Sequence, residues 1–366
     1  MKKYKSVTMQ DIANRANVSV ATVSRVINTP AKTSPQLQFK VHQAIEQLNY
    51  NTSELIKPYQ THYQNKKILL IDNQYFPHSM VNRGIEDTAQ KQGYKIIYLR
   101  FLYFSPQDIQ QIINYTVHHQ IEGILIINDS PYLSQLEQYS AALPPIVLLN
   151  HYSRTLSCVY FDHMAIAYQA TNYLLEQGHR HIACLFGLKD KQSTVYMTQG
   201  YQQALQRKAL PLNTHYLQYN ATHFHATQAL FSLLLKQPIP PTAIFCDDNR
   251  SLSYHDLIDI QTHQVQPESG FIDEHTIING IMTQAKKLKC QLPQQVSIIT
   301  VNAHSQSQMP TEPLMTHIYK PMYKMGCEGF MMLISKTAKI QQHACYQSLV
   351  MPTELVIRHS VINKNL

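Results

Sequence analysis

From residue 67 onward, short apolar runs alternate with longer stretches whose apolar positions recur at helical spacing. Short apolar runs bounded by polar residues are typical of strands buried on both faces of a parallel sheet. They predict strands at 67–72, 95–100, 122–127, 145–149, 181–186, 242–246 and 296–301. The stretches with helical spacing predict helices at 79–92, 106–119, 164–177, 194–208 and 276–289. The alternation predicts an α/β core of parallel sheets covered by helices on both faces.

The first fifty residues show helical spacing alone, which predicts a separate all-α domain. Thr8, with Asp11 three residues later, forms a variant capping box before a first helix. After a break at 17–18, Ser19 is a good N-cap for a second helix, and Ser34-Pro35 opens a third. In the second helix we expect a buried stripe of Val23, Val26 and Ile27, with Val20, Ala21, Thr22, Ser24 and Arg25 nearer the opposite side. Three short helices, the second of them polar on one side, indicate a helix-turn-helix.

The charge of the chain is concentrated in this N-terminal part. Residues 1–66 hold nine Lys and Arg against three acidic residues, a net charge of +6 out of +8 for the whole chain. A small basic domain attached to a nearly neutral body is the pattern expected of a nucleic-acid-binding protein.

Several other classes of protein lack their sequence signals here. The first sixteen residues have no apolar run, so we expect no signal peptide, and no uninterrupted apolar stretch predicts a membrane span. The six scattered cysteines favour reduced thiols in a cytoplasmic protein. No Gly-rich phosphate loop follows a predicted strand, and no nucleophile elbow or HExxH pair is present, so we expect no nucleotide cofactor and no enzyme activity. The nineteen histidines include pairs such as His118-His119, but no acidic or thiol ligands accompany them at metal-ligand spacing.

The segment TMQDIANRANVSVATVSRVIN, residues 8–28, resembles the DNA-binding segment of the LacI/GalR family of bacterial repressors. The resemblance implies that the second helix enters the major groove of double-stranded operator DNA. It implies that Val20 and Ala21 touch base edges and that Arg25 reads a base, since its guanidinium can bind guanine through two hydrogen bonds. It also implies that short polar groups hold the phosphates, which positions the protein without reading sequence. These are Thr8, Ser19, Thr22, Ser24 and Asn28.

The resemblance extends to the core, where RGIEDTAQKQGY, QIEGILII, ATNYLLEQGHRHIACLFG and PPTAIFCDD are similar to family landmarks. The sequences of these segments are similar to those of the cytidine and purine repressors of the family. This implies a periplasmic-binding-protein-like core of two Rossmann-like lobes, with a cleft that binds a small effector, for which a nucleoside such as cytidine is the expectation. The implied effector-binding residues are Asp162, Lys191, Ser193, Met197 and Asn302.

Three positions depart from the family in this implied pocket. Met197 stands where an arginine usually grips the ligand, Asn302 replaces an aspartate, and Ala221 stands where an aromatic residue stacks. The segment 250–274 resembles an insertion after a strand that lines the cleft.

The linker at residues 49–66 also departs from the family, whose members have a hinge helix that inserts a leucine into the minor groove. Tyr59 stands at the position of that leucine, and Pro58 lies inside the expected helix, where it removes a hydrogen-bond donor. This pattern favours a flexible tether between the domains.

We therefore expect a DNA-binding domain at 1–60 and a two-lobed core at 61–366, with lobe one at about 67–162 plus 302–322 and lobe two at about 163–301 plus 323–360. The expected function is a cytoplasmic, nucleoid-associated, homodimeric repressor with a small effector. Two alternatives stay open: a regulator of the same fold whose pocket has decayed and which answers to a protein partner such as the cyclic-AMP receptor protein, and an enzyme or a transport-type binding protein.

Overall fold

A computed structural model describes residues 9–28, 66–72, 80–99, 106–127, 133–140, 143–222, 224–247, 276–302, 314–337 and 346–365, together with parts of 33–44. The chain divides into two compact units, Met1–Asn65 and Lys66–Leu366. The linker discussed above and the segment 250–274 lie outside the described residues, apart from Lys66.

The first unit contains helices α1 (Met9–Ala16) and α2 (Val20–Asn28), as the sequence predicts. A third helical segment includes residues 37, 40, 41, 43 and 44. The small hydrophobic core of this unit consists of Ile12, Ala13, Ala16, Val23, Val26, Val41 and Ala44. Val20 packs in part against this core, whereas the sequence pattern placed it nearer the opposite side.

The second unit contains two six-stranded sheets, and all seven predicted strands lie in them. In chain order the strands of the first sheet are β1 (Lys67–Asp72), β2 (Lys95–Leu99), β3 (Ile121–Ile127), β4 (Ile146–Leu149), β5 (Ser157–Tyr160) and β11 (Ser348–Val350). Those of the second are β6 (Ile182–Leu185), β7 (Leu217–Gln218), β8 (Ala243–Asp247), β9 (Ser297–Asn302), β10 (Thr316–Tyr319) and β12 (Glu354–Val356).

The strand order is β11-β5-β4-β3-β1-β2 in the first sheet and β12-β10-β9-β8-β6-β7 in the second. Every strand pair is parallel except β10 with β12, which is antiparallel. The central strands are almost completely buried because helices cover both faces, which explains their continuous apolar runs.

The helices of this unit are α3 (Met80–Lys91), α4 (Pro106–His119), α5 (Leu133–Gln138), α6 (His163–Glu176), α7 (Gln192–Arg207), α8 (Phe224–Leu235), α9 (Thr276–Lys287) and α10 (Met322–Thr337). The closest helix pairs are α3 with α10 and α6 with α7. In each pair a glycine brings the backbones together. A Cβ atom added at Gly84 of α3 would lie 2.1 Å from the carbonyl oxygen of Tyr323, and one at Gly200 of α7 would lie 2.1 Å from that of Met164.

The assignment of C-terminal segments to the two lobes differs from the sequence expectation. Strand β10 lies in the second sheet, although 302–322 was assigned to lobe one. Helix α10 packs on strands of the first sheet, although 323–360 was assigned to lobe two. The chain therefore crosses between lobes at 161–163, at 320–322 and at 351–353. An apolar helical pattern shows that a face is buried but not which sheet buries it, so the sequence could not settle this assignment.

Candidate functional site

The turn between α1 and α2 gives the first unit its helix-turn-helix geometry. Asn17 has a φ of +52°, a left-handed conformation that asparagine adopts more easily than most residues. The amide of Val18 then donates to the carbonyl of Ala13 at 3.0 Å, which closes the end of α1. Ser19 directly precedes α2, and its Oγ accepts a hydrogen bond from the amide of Thr22 at 3.1 Å.

Part of the expected DNA-contacting set can be placed on this helix. Ala21 is exposed, Ser19 is exposed, and Thr22 is half-buried with its hydroxyl 2.9 Å from that of Ser19. Both hydroxyls stand at the N-terminus of α2, where free amides and the helix dipole favour a phosphate. Ser24, Arg25 and Asn28 lie within α2, but their side chains are outside the described residues, as is Thr8 altogether.

The second unit contains a cavity of about 210 Å³ between its lobes. Its lining residues come from the β4–β5 connection, the crossover after β5 and the start of α7. They are Asn150, His151, Tyr152, Tyr160, Phe161, Asp162, His163, Met164, Lys191, Gln192, Ser193 and Tyr196. The cavity lies at the carboxyl ends of β4 and β5, and the carboxyl ends of parallel strands are a common ligand-binding place in α/β proteins.

Three of the expected effector-binding residues line this cavity. Asp162 is the N-cap of α6, and its Oδ1 accepts a hydrogen bond from the amide of Ala165 at 2.9 Å. Lys191 is the N-cap of α7 but makes no capping hydrogen bond with its side chain, and Ser193 follows in the first turn. An acceptor, a cation and a hydroxyl therefore face one space, with aromatic rings around them.

The two lobes contact each other directly beside this cavity. The side-chain amide of Gln192 at the start of α7 accepts from the amide of Tyr152 and donates to its carbonyl, both at 3.3 Å. Tyr152 belongs to the first lobe, and its ring lies 5.0 Å from that of Tyr160. This pair of hydrogen bonds resembles the pairing of neighbouring strands and holds the lobes together at the cavity rim.

Two buried basic side chains lie at adjacent crossovers next to the cavity. Lys320 follows β10, has no solvent exposure, and its Nζ lies 5.3 Å from the centre of the Phe161 ring. Burial lowers the pKa of Lys320 to about 8, against the opposing attraction of Asp247 at the end of β8. Burial, together with the charges of Lys320 and His151, lowers the pKa of His163 to about 3, so its imidazole is neutral at pH 7.

Of the two remaining expected residues, Met197 does not line the cavity, and the side chain of Asn302 cannot be placed. Met197 has no exposure and packs in the main core, one residue beyond the cavity-lining Tyr196, so the effector contact expected there is wrong for this structure. Its apolar side chain is better placed between the packed helices than against a polar ligand. Ala221 is buried in the core of the second lobe. Asn302 ends β9 opposite Tyr319, and its side chain lies outside the described residues.

Sequence reasoning missed the aromatic and amide residues that form half of the lining. Tyr152, Tyr160 and Tyr196 belong to no recognisable sequence motif. Gln192 stands between Lys191 and Ser193, and the resemblance pointed to those two residues only. The sequence signal that could have found His163 and Lys320 is a basic residue beside an apolar strand end.

Within the described part of the chain, no group of three or more His, Cys, Asp or Glu side chains could hold a metal ion. No helix in that part is long and apolar enough to cross a membrane.

Three family models match the chain. Residues 8–53 match bacterial regulatory proteins of the lacI family, and residues 67–255 match the periplasmic binding proteins and sugar-binding domain of the LacI family. Residues 171–361 match a periplasmic binding protein-like domain.

Full-length relatives and a solved structure agree with these matches. The transcriptional repressor CytR of Escherichia coli K12 is 29% identical over 363 residues, covering 98% of this chain and 97% of the relative. The ribose operon repressor of Haemophilus influenzae is 26% identical over 359 residues, covering 97% of this chain and 98% of the relative. The Lac repressor bound to ONPG has the same fold, with a TM-score of 0.67 at 19% identity, covering 97% of this chain and 100% of that one.

Proposed function

Because this chain belongs to the LacI family and is a DNA-binding transcriptional repressor, we propose that a neutral nucleoside such as cytidine binds its inter-lobe cavity and controls its affinity for operator DNA. The relatives are named as repressors, so the chain is a regulator rather than an enzyme.

The observation that carries this proposal is the composition of the cavity between the lobes. Tyr152, Tyr160, Phe161 and Tyr196 offer flat apolar surfaces against which a base or a sugar ring can pack. Polar groups from both lobes stand among these rings and can orient the ring substituents. They include Asp162, Lys191 and Ser193, the three expected contact residues that line the cavity.

A ligand in this cavity can change the geometry of the core because it contacts both lobes at once. Tyr152 and Tyr160 belong to the first lobe, whereas Ser193 and Tyr196 belong to the second. Binding therefore adds contacts that exist only at one lobe separation, and it shifts the population toward that separation. The Gln192–Tyr152 hydrogen bonds at the rim already favour a closed arrangement, so the effector adds to a bias present in the free protein.

On the DNA side, we propose that α2 lies in the major groove, with Ala21 and Arg25 at base edges and Ser19 and Thr22 at phosphates. The exposed N-terminus of α2 and the hydroxyl pair there support this arrangement. One such head contacts few bases, so we propose a homodimer that binds two half-sites. Helix α3 is the proposed interface element, and the cytoplasm, at the nucleoid, is the proposed location.

The test is a thermal shift of the full chain with cytidine, uridine, adenosine, D-ribose and D-cellobiose. At a ligand concentration one hundred times Kd, binding should stabilise the protein by about 2.7 kcal/mol. A Tyr196→Leu variant should lose this shift because the cavity loses a ring, whereas Tyr139→Leu, at a side chain that is 47% exposed and not part of the cavity lining, should retain it. If no nucleoside shifts the melting temperature, the effector is not one of these nucleosides. If only a sugar shifts it, the effector is a sugar instead.

A second candidate function is favoured by two departures from the family, since Met197 and Ala221, which stand where the family has an arginine and an aromatic residue, are core residues here. In this case the cavity binds no effector, and a protein partner such as the cyclic-AMP receptor protein controls the repressor. Fluorescence anisotropy on selected operator DNA distinguishes the two: the partner should increase operator affinity while cytidine has no effect.

A further inference from the structure

Lysine side chains of the first lobe gather at one edge of its sheet, the amino edge at which strands β1 to β5 begin. Helices α3 and α4 end at this edge because they connect parallel strands, and α10 ends there because Leu333 lies over Gly123, near the start of β3. The first two residues of these strands and the last turns of these helices hold four lysines against one acidic residue, Glu122. The lysines are Lys67, Lys91, Lys95 and Lys336.

The opposite, carboxyl edge of the same sheet has no such excess of charge. The last two residues of β1 to β5 and the first turns of α3, α4 and α10 hold two basic and two acidic residues. They are Arg83, Lys324, Asp72 and Asp108. The positive charge of the first lobe is therefore concentrated at the amino edge of its sheet.

The chain also enters the core at this basic edge. Lys66 directly precedes β1, and its carbonyl accepts a hydrogen bond from the amide of Lys95 at 2.8 Å. Its ammonium lies 5.2 Å from the centre of the Tyr94 ring, so the entry point is held beside the start of β2. Because residues 1–65 are joined to the core here, DNA that the first unit binds is tethered to the basic edge and not to the opposite one. A tether raises the effective concentration of the DNA at this edge, so that contacts too weak for independent binding contribute to affinity.

Two lysines at this edge are available to a partner. Lys91 ends α3 and Lys95 begins β2, and both are exposed. Within the described part of the chain, neither ammonium has a hydrogen-bond or ion-pair partner. Lys67, in contrast, donates to the carbonyl of His119 at 3.1 Å. Lys67 and Lys95 are neighbours in the register of β1 and β2, and like charges on neighbouring strands repel each other, so an anion placed against this edge is favoured.

The residue type indicates which part of the DNA would be contacted. A lysine ammonium is a compact point charge that binds phosphate, whereas reading a base requires the paired donors and acceptors of arginine or an amide. Lys91 also offsets the negative end of the α3 dipole, which is the ordinary role of a lysine at the end of a helix. Lys95 begins a strand and has no such role, so the helix dipole does not explain the pair.

We propose that the amino edge of the first sheet is a second DNA-contacting surface, at which Lys91 and Lys95 bind backbone phosphates of the duplex that α2 holds. The contact reads no sequence. It adds affinity equally on every duplex, whereas α2 supplies the discrimination between duplexes. The inference rests on DNA binding by the first unit and is independent of any effector.

The experiment measures DNA binding of the full-length protein by fluorescence anisotropy at salt concentrations from about 0.05 to 0.3 M. The DNA is a duplex that wild type selects from a random pool, and an unselected duplex of equal length is titrated in parallel. The double variant Lys91→Gln/Lys95→Gln should flatten the slope of log K against log salt by about 0.9 for each lysine that contacts a phosphate, hence by about 2 in each protomer. At about 0.1 M salt, the affinity should fall about 8-fold for one lost contact and about 60-fold for two, because this contribution vanishes near 1 M salt. The ratio between the affinities for the two duplexes should stay at its wild-type value.

The matched control removes the same charge from the other lobe. Lys286 and Lys287 are exposed lysines in the last turn of α9. The double variant Lys286→Gln/Lys287→Gln should keep the wild-type slope and affinity. The unfolding midpoint of every variant in urea is measured alongside, and the single variant Lys95→Gln, with half of the expected change in slope, serves if the double variant is unstable.

Each other outcome has a distinct meaning. An unchanged slope in Lys91→Gln/Lys95→Gln overturns the surface and leaves DNA binding by α2 standing. An equal loss in both double variants shows an effect of overall charge and rejects the surface as well. A changed ratio between the selected and unselected duplexes shows that the lysines act on base reading, contrary to the proposal. A retained ratio in Arg25→Ala, in contrast, rejects the reader assigned in α2 and leaves this surface standing.

Discussion

Replacing Lys320 with methionine should stabilise the ligand-free protein, which is unusual for a fully buried position. The pKa of this lysine falls from its ordinary 10.5 to about 8, mainly through burial, with Asp247 opposing the shift and His163 facing the same space. A difference of this size corresponds to about 3 kcal/mol by which the fold disfavours the charged form. The attraction of Asp247 is already included in this figure. Methionine has a similar shape without the charge, so the free energy of unfolding at pH 7 should rise by about 2–3 kcal/mol.

The sign of the pH dependence follows from the same values. Below pH 8, Lys320 is charged in both the folded and the unfolded chain, so the full free-energy cost of burying its charge lowers the stability of wild type. Between pH 8 and 10.5 the folded chain holds fewer protons than the unfolded one, so the stability of wild type rises with pH. The difference in the free energy of unfolding between Lys320→Met and wild type should therefore shrink by about 2 kcal/mol between pH 7 and pH 9.5.

The assay is urea unfolding of the full chain, followed by circular dichroism because the chain has no tryptophan. The comparison of variant with wild type cancels the contributions of other titrating groups. Lys189→Met should stay within about 0.5 kcal/mol of wild type at both pH values, as expected for an exposed residue. A Lys320→Met protein that is less stable than wild type at pH 7, or whose advantage does not change with pH, would refute the reasoning.

Three further predictions concern packing, DNA recognition and acid stability. Gly200→Ala should lower the free energy of unfolding by about 1–3 kcal/mol, because the added methyl would lie 2.1 Å from the carbonyl oxygen of Met164. Gly187→Ala should be tolerated, because the nearest atom to its added methyl is 3.9 Å away. Urea unfolding of both variants tests the contrast. Arg25→Ala should cost about 1–3 kcal/mol in operator affinity with an unchanged fold, and footprinting that shows undiminished sequence discrimination would contradict its assigned role. Burial lowers the pKa of His179 from 6.5 to about 4, so stability should fall by up to about 3 kcal/mol as pH drops from 6.5 to 4, and a His179→Gln variant with an equally steep loss in pH-dependent unfolding would count against this.

Much of the architecture could be predicted from the sequence because its signals are local. Strands such as Lys67–Asp72 and Ala243–Asp247 are buried on both sides by their own helices, so their composition alone marks them. Short strands were missed, among them β7 with two residues and β11 at an exposed sheet edge, because they carry few apolar residues. In the first unit, Asn17 and Ser19 marked the turn and cap at their observed positions, since both effects act within a few residues.

The candidate site was predictable only in part. Asp162, Lys191 and Ser193, which the family resemblance named as effector contacts, line the cavity, but Met197 does not, because the packing of α7 against α6 decides which side chains turn inward.

By itself, the sequence determined the alternation of strands and helices, the basic helix-turn-helix domain and the family, because these depend on residues close together in the chain. Only the tertiary structure decided where the chain crosses between the lobes and which side chains meet there. Lys320 and His163 lie far apart in the sequence, each beside an apolar strand end, and neither carries a local signal of the other's proximity. Their burial and their lowered pKa values arise because two crossovers pass near each other in the low-dielectric interior between the lobes.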